Sequence, residues 1–295
     1  MVPRDSITCE RLAWPIVRRI AAASLLLVAL AAPAAAGASP PPPDWRPHVA
    51  AARAWAADRA GDVSFAIRTE RRAWSWRGAT PYRSASLVKA MLLVAYLRRH
   101  DVRRRALRAD ERALLDPMIR RSDNRAADAL HARVGLRSLD TLARRARMGR
   151  FVAHPVWGGS IVTAADQARF FLRVDRMVPR RHRRYAMALL RGVVAGQRWG
   201  IPAALPAGWR IAFKGGWGAG VTRQVDHQAA LLTNAGLRVS IAVLSADNPS
   251  DGYGAETLRG TAERLLRGLT GTVTGKAVQM RRGLGWPRRG AALVS

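Results

Sequence analysis

Two residues three apart, Ser86 and Lys89, stand at the mouth of an apolar run that extends from Ala90 to Leu97. If the run is a helix, both side chains share one face of its first turn. Backbone N–H groups are unpaired there, and the positive end of the helix dipole favours a neutral lysine and a developing oxyanion. A serine nucleophile needs those two things: a nearby base and a place for negative charge to form. The run is apolar on nearly every face, so the helix should be buried, with Arg98 and Arg99 suited to its C-terminal end. Lysine usage sharpens the point. Among 50 Lys plus Arg, only Lys89, Lys214 and Lys276 are lysines. Arginine keeps its proton at working pH, whereas a desolvated lysine gives it up. A lysine in so arginine-dominated a chain is a candidate for chemistry arginine cannot do; chance scatter is the plainer alternative.

The elements that must position this pair are legible around it. Val63–Thr69 and Ala73–Arg77 alternate apolar and polar residues and predict a β-hairpin. A helix is expected over Asp44–Ala60, carrying Trp45, Val49 and Trp55. Two helical patterns between Asp110 and Gly135 meet at Ser122-Asp123-Asn124, where short polar side chains suit a helix cap. Leu136–Met148 reads as a basic amphipathic helix. Phe151–Ile161 reads as a loop, and Thr163-Ala-Ala-Asp166 as the capped start of another helix. Ile211-Ala-Phe-Lys214-Gly-Gly-Trp217 resembles a strand ending in a lysine and a permissive backbone. Gln228–Leu232 and Arg238–Leu244 predict a second hairpin, and Glu256–Leu269 a closing amphipathic helix. Strands at both ends with helices between them predict an α+β architecture: an antiparallel sheet built from N- and C-terminal segments, a helical subdomain inserted, and the site in the seam.

Composition bounds the remainder. Arg18 and Arg19, the apolar run Ile20–Leu30 and the small-residue stretch ending at Ala36 read as a secretory signal over residues 1–36, cleaved near Ala36, with a membrane anchor as runner-up. A proline-rich linker over 37–46, a domain over 47–270 and a loose tail over 271–295 complete the expected organisation. The only cysteine, Cys9, would leave with the signal, so the mature protein is expected to carry no disulfide. The six histidines show no metal-binding spacing, and neither metal nor cofactor is expected. A net charge of +30 suggests electrostatic association with an anionic cell envelope. Its arginine clusters, at 103–105, 144–147 and 180–184, sit in separate polar segments rather than in one stripe interleaved with aromatics, which argues against nucleic acid.

Three short motifs in this order, Ser86-x-x-Lys89, Ser122-Asp-Asn124 and Lys214-Gly-Gly216, resemble the serine β-lactamase and penicillin-binding protein superfamily. The likeness is closest to class A β-lactamases and spans roughly Pro47 to Leu269. It implies that Ser86 is the nucleophile and that Lys89 is the base or proton relay. Ser122 would then pass the proton to the leaving nitrogen, while Lys214 tunes Ser122 and attracts the substrate carboxylate. Asn124, Gly216 and Trp217 would contact substrate, and the backbone N–H groups of Ser86 and Trp217 would form the oxyanion hole. The implied substrate is a β-lactam or a D-alanyl peptide, handled by a monomer.

Two departures from the family pattern matter. Gly215 stands where Thr or Ser is usual, which removes a hydroxyl for the substrate carboxylate; the glycine could instead let a ligand strand approach closely. The second concerns deacylation. No Glu occurs between Ser122 and Lys214, whereas class A enzymes use a glutamate there to activate the deacylating water. Asp166 reads better as a helix cap, and His154 is the alternative base. The resemblance therefore implies a serine hydrolase, β-lactamase-like in acylation, whose hydrolytic step is slow. A D-alanyl-D-alanine peptidase or transpeptidase is the second reading, and an inactive envelope-binding protein the third.

Overall fold

The computed structural model describes residues 45–220 and 222–270; the expected signal, most of the linker and the tail lie outside the described residues. Helix α1 (Val49–Ala57) leads into β1 (Asp62–Thr69) and β2 (Ala73–Trp76), then into the two-residue strand β3 (Tyr82–Arg83). A 3-10 turn (Ala85–Val88) runs directly into α2 (Lys89–Leu97). The helical part follows as α3 (Ala109–Arg120), α4 (Asn124–Val134) and α5 (Leu136–Ala146). Strand β4 (Ile161–Val162) precedes α6 (Ala164–Leu172), α7 (Val174–Met177) and α8 (Arg180–Arg191). Strands β5 (Arg210–Ala219), β6 (Gln224–Asn234) and β7 (Leu237–Asn248) and helix α9 (Asp251–Leu266) close the chain.

The main sheet is antiparallel throughout, in the order β2-β1-β7-β6-β5. The N-terminal hairpin therefore pairs with the last strand, and the helices between are an insertion: the α+β arrangement the sequence predicts. Its two faces differ in residue size. Phe65, Phe213, Leu232 and Ile241 pack with Leu258 and Leu265 of α9 on one side. Each such side chain contributes about 1.5–3 kcal/mol by leaving water. On the other side a cross-strand row of Ala66, Ala242 and Ala229 ends at Lys214 on the edge strand. Those methyl groups leave room for α6 to lie close over the sheet, since close packing ties helix approach to side-chain volume.

All nine residues of α2 are buried, Lys89 included, as its apolar faces predict. Ser86 does not share the first turn of this helix with Lys89 as expected: it precedes the helix, in the tighter 3-10 turn that leads into it. Helix α9 begins at Asp251, ahead of the expected Glu256, capped by Ser250 Oγ accepting the Tyr253 N–H at 3.2 Å. Its first turn contains Gly252 and Gly254, which hide the helical pattern. Gly254 is required by packing, because a Cβ there would meet the side chains of Asp226 and Asn248.

Candidate active site

The turn that carries Ser86 is fixed from three sides. Ala85 takes a left-handed backbone at φ 44°, uncommon for a residue with a Cβ and of the kind that clusters at functional sites. The Ser84 N–H donates to the Ser160 carbonyl at 2.8 Å, and Ser84 Oγ lies 3.3 Å from the Trp157 carbonyl, which ties the turn to the 157–160 loop. Beneath it, His227 Nε2 meets the Arg83 carbonyl at 3.0 Å, and its ring packs edge-on against Tyr82. His227 Nδ1 lies 2.9 Å from the Asp226 carbonyl and 3.3 Å from the Ser245 nitrogen, so both ring nitrogens are engaged by backbone. Complete burial pulls this imidazole down to about 4, against the opposing carbonyl contacts, and holds it neutral.

Strand β5 lies along the other flank. Gly216 is pressed against the turn: a Cβ there would stand 2.6 Å from Leu87 N and 2.8 Å from Ser86 N. At Gly215 the nearest atoms to such a Cβ are the Trp217 ring at 3.5 Å and Gln228 Cγ at 3.6 Å, ordinary contacts. Close approach to the Ser86 turn is therefore the property of Gly216.

The two buried lysines converge on one hydroxyl. Lys89 Nζ donates to the Ser122 carbonyl at 2.6 Å and to Asn124 Oδ1 at 2.7 Å, and lies 3.3 Å from Ser122 Oγ. Lys214 Nζ reaches the same Ser122 Oγ at 3.1 Å and donates to the Gly215 carbonyl at 2.6 Å. Ser122 holds a left-handed backbone at φ 60°, which turns its carbonyl and its hydroxyl toward the lysines together. Asp123 caps α4 by accepting the Ala126 N–H at 2.8 Å, so it braces the join. Burial lowers Lys89 to about 8, against the raising influence of Asp123 and Asp128. Burial also lowers Lys214, and the charge of Lys89 adds to it.

Ser86, Asn124 and Trp217 line one cavity of about 760 Å³. Trp157 forms part of its wall, with its ring centroid 4.5 Å from Lys89 Nζ and its indole N–H on Asp128 Oδ1 at 2.7 Å. Trp217 packs edge-on against Trp199 at 5.6 Å. His154 also lines the cavity, but its Nδ1 is turned back on its own loop and accepts the Val156 N–H at 3.0 Å. Asp166 lies elsewhere: buried, it accepts the Gly149 and Arg150 N–H groups at 3.1 and 2.8 Å and pairs with Arg169. Thr163 caps α6 as expected, accepting the Asp166 N–H at 3.2 Å. Of the cavity's two carboxylates, Asp62 pairs with Arg77 and Asp247 accepts the Thr222 hydroxyl.

The sequence model of the Beta-lactamase enzyme family matches residues 104–269, more than half of the chain. The chain belongs to the beta-lactamase enzyme family. Solved structures agree on the fold. A beta-lactamase from Sphaerobacter thermophilus superimposes with a TM-score of 0.63 at 20% identity, covering 77% of this chain and 98% of that one. A beta-lactamase from Desulfarculus baarsii gives 0.60 at 23% identity, covering 73% and 96%. The structure of PBP-A gives 0.64 at 20% identity, covering 76% and 97%. A comparison with curated proteins found no match.

Within this beta-lactamase-family chain, the fold brings Ser86, Lys89, Ser122, Asn124, Lys214, Gly216 and Trp217 to one seam. The matched stretch contains the second and third motifs, while Ser86 and Lys89 precede it. Sequence reasoning gave no role to His227 or Trp157. The period of β6 could have found the first, since His227 shares the face of Ala229 and Leu231. Nothing local marks Trp157, whose place depends on how the 157–160 loop returns to Ser84.

Proposed function

We propose that this family member is an exported serine hydrolase that β-lactams acylate at Ser86, and that it releases the acyl group slowly. The observation that carries the reading is the meeting of Lys89 and Lys214 at Ser122 Oγ, at 3.3 and 3.1 Å. Neutral Lys89 keeps two N–H groups for the Ser122 carbonyl and Asn124 Oδ1, which leaves its lone pair for a hydroxyl proton. Ser86 Oγ then attacks the lactam carbonyl carbon as its proton passes to Lys89. The C–N bond breaks, and the leaving nitrogen takes the Ser122 proton, which Lys89 replaces. Lys214 favours the transient alkoxide on Ser122 and attracts the substrate carboxylate. The backbone N–H groups of Ser86 and Trp217 would hold the oxyanion.

Slow hydrolysis rests on what surrounds Lys89. The 154–160 loop offers a tryptophan ring over Nζ and a histidine whose Nδ1 is already engaged, with no carboxylate of its own. Within the second reading, a D-alanyl-D-alanine peptidase or transpeptidase acting on peptidoglycan, this same feature favours the transpeptidase, which passes its acyl group to an amine instead of to water. Export rests on the charged and apolar pattern that ends near Ala36.

Intact-mass measurement of the mature protein mixed with a penicillin tests the reading. A persistent adduct on Ser86, absent in Ser86→Ala, is expected. A transient adduct with drug consumed would overturn slow deacylation, and no adduct would overturn acylation itself.

A further inference from the structure

At the far end of α2 from Lys89, the chain brings together arginines that are scattered in the sequence. Arg98, Arg99 and Arg103 from the end of α2 and the turn after it face Arg137 and Arg145 of α5 across a cleft of about 260 Å³. Ser138 and Thr141 add hydroxyls, and Ala95 and Leu142 form the apolar floor. Two of the five guanidinium groups are partly committed: Arg98 donates to the Met177 carbonyl at 2.7 Å, and Arg99 holds Asp101 and the Arg133 carbonyl. The guanidinium groups of Arg103, Arg137 and Arg145 have no hydrogen-bond or ion-pair partner among the described residues. Like charges gathered in a concavity repel one another, and the guanidinium of Arg98, half-buried here, is disfavoured by desolvation first and by Arg145 and Arg103 next.

We propose that this cleft is a binding site for phosphate groups, separate from the Ser86 cavity. Five cations exceed what one carboxylate could balance, and planar guanidinium forks match the oxygens of phosphate. No aromatic side chain lines the cleft, so it has no platform for stacking nucleic-acid bases. Its volume is below the roughly 300–1,000 Å³ of sites that enclose a whole small molecule, which suits a charged group presented from a larger ligand or a short oligophosphate. The site does not rest on the catalytic reading, because none of its residues belongs to the Ser86 seam.

The test is titration of the purified protein with inorganic tripolyphosphate and, in a second arm, with phosphatidylcholine vesicles containing phosphatidylglycerol, in about 0.15 M salt. The triple variant Arg103→Gln, Arg137→Gln, Arg145→Gln is compared with a charge-matched control, Arg71→Gln, Arg181→Gln, Arg184→Gln, at exposed positions elsewhere. The cleft variant should weaken binding at least tenfold, roughly, while the control changes it less than about twofold. Loss in the tripolyphosphate arm assigns a soluble phosphate source, and loss in the vesicle arm alone assigns a lipid headgroup. Circular dichroism checks folding, and if the triple variant fails to fold, each single variant should still weaken binding. Equal weakening by both triples would overturn the site in favour of diffuse net charge. Absence of binding in both arms would overturn it as well.

Discussion

A methyl group on Gly216 would stand 2.8 Å from the backbone nitrogen of Ser86, closer than Cβ atoms come to backbone. The edge strand and the nucleophile turn thus touch backbone to backbone, and the distance between them sets the geometry of any oxyanion held by their N–H groups. Gly216→Ala should push β5 from the turn, cost about 1–3 kcal/mol of stability and lower the acylation rate by roughly 10²–10³-fold. Gly215→Ala, whose Cβ meets only ordinary contacts, should leave the melting temperature unchanged or higher. Stopped-flow acylation and thermal unfolding of both variants check this; equal behaviour of the two would remove the argument.

Ser122 combines a left-handed backbone with a hydroxyl shared by two lysines. The two features separate by substitution. Ser122→Gly keeps the backbone at no steric cost and deletes the hydroxyl, so the fold should persist while acylation falls by roughly 10²-fold or more, the range of a lost proton-transfer group. Ser122→Ala should lose the same rate and, because it keeps a Cβ in the left-handed region as serine does, be about 1 kcal/mol less stable than the glycine variant. Retained acylation in the glycine variant would show that the leaving nitrogen takes its proton elsewhere.

How far the sequence could be read follows from which interactions are local. The hairpins, α2 and the Thr163 cap depend on alternation, on an apolar run and on capping chemistry within a few residues, and each stands where its pattern puts it. The seam could be read only because three weak motifs occur in a fixed order. Gly216 rather than Gly215 as the contact glycine was not legible, because that depends on which face of β5 meets the turn. The arginine cleft was hidden for a related reason. Residues 98–103 and 137–145 are separate basic segments in sequence, and only the packing of α5 on α2 sets them face to face.

Lys89 titrates near 8 because burial disfavours its charge, and its neutral form is the competent base. Its folded value lies below the unfolded one, so the neutral amine dominates above about 8 and the ammonium below it. The acylation rate should therefore rise between pH 7 and 9, by up to about tenfold per unit on the acid side of the midpoint. Lys89→Arg should abolish this rise together with the activity, since guanidinium stays protonated. A profile flat across that window in the wild type would exclude neutral Lys89 as the base.

Asp226 supplies a different pH dependence, of stability rather than rate. It is fully buried on the α9 side of the sheet, with Oδ2 accepting from Asn248 Nδ2 at 2.9 Å and Oδ1 lacking a protein partner. Burial, with the charge of Asp251 adding to it and the Asn248 bond opposing, raises this carboxyl to about 7. The native state therefore binds a proton more tightly than the unfolded chain between about 4 and 7, and stability falls as pH rises through that window. Buried His227 acts in the opposite sense. Held down to about 4, it stays neutral in the native state, and its contribution is lost as pH falls below the ordinary histidine value. The two slopes offset each other in the wild type. Asp226→Asn should leave the histidine slope alone: its melting temperature should match the wild type near pH 4.5, climb more steeply with pH and end higher at pH 8. Parallel melting curves for the two proteins from pH 4.5 to 8 would mean that Asp226 carries its charge in the folded state throughout.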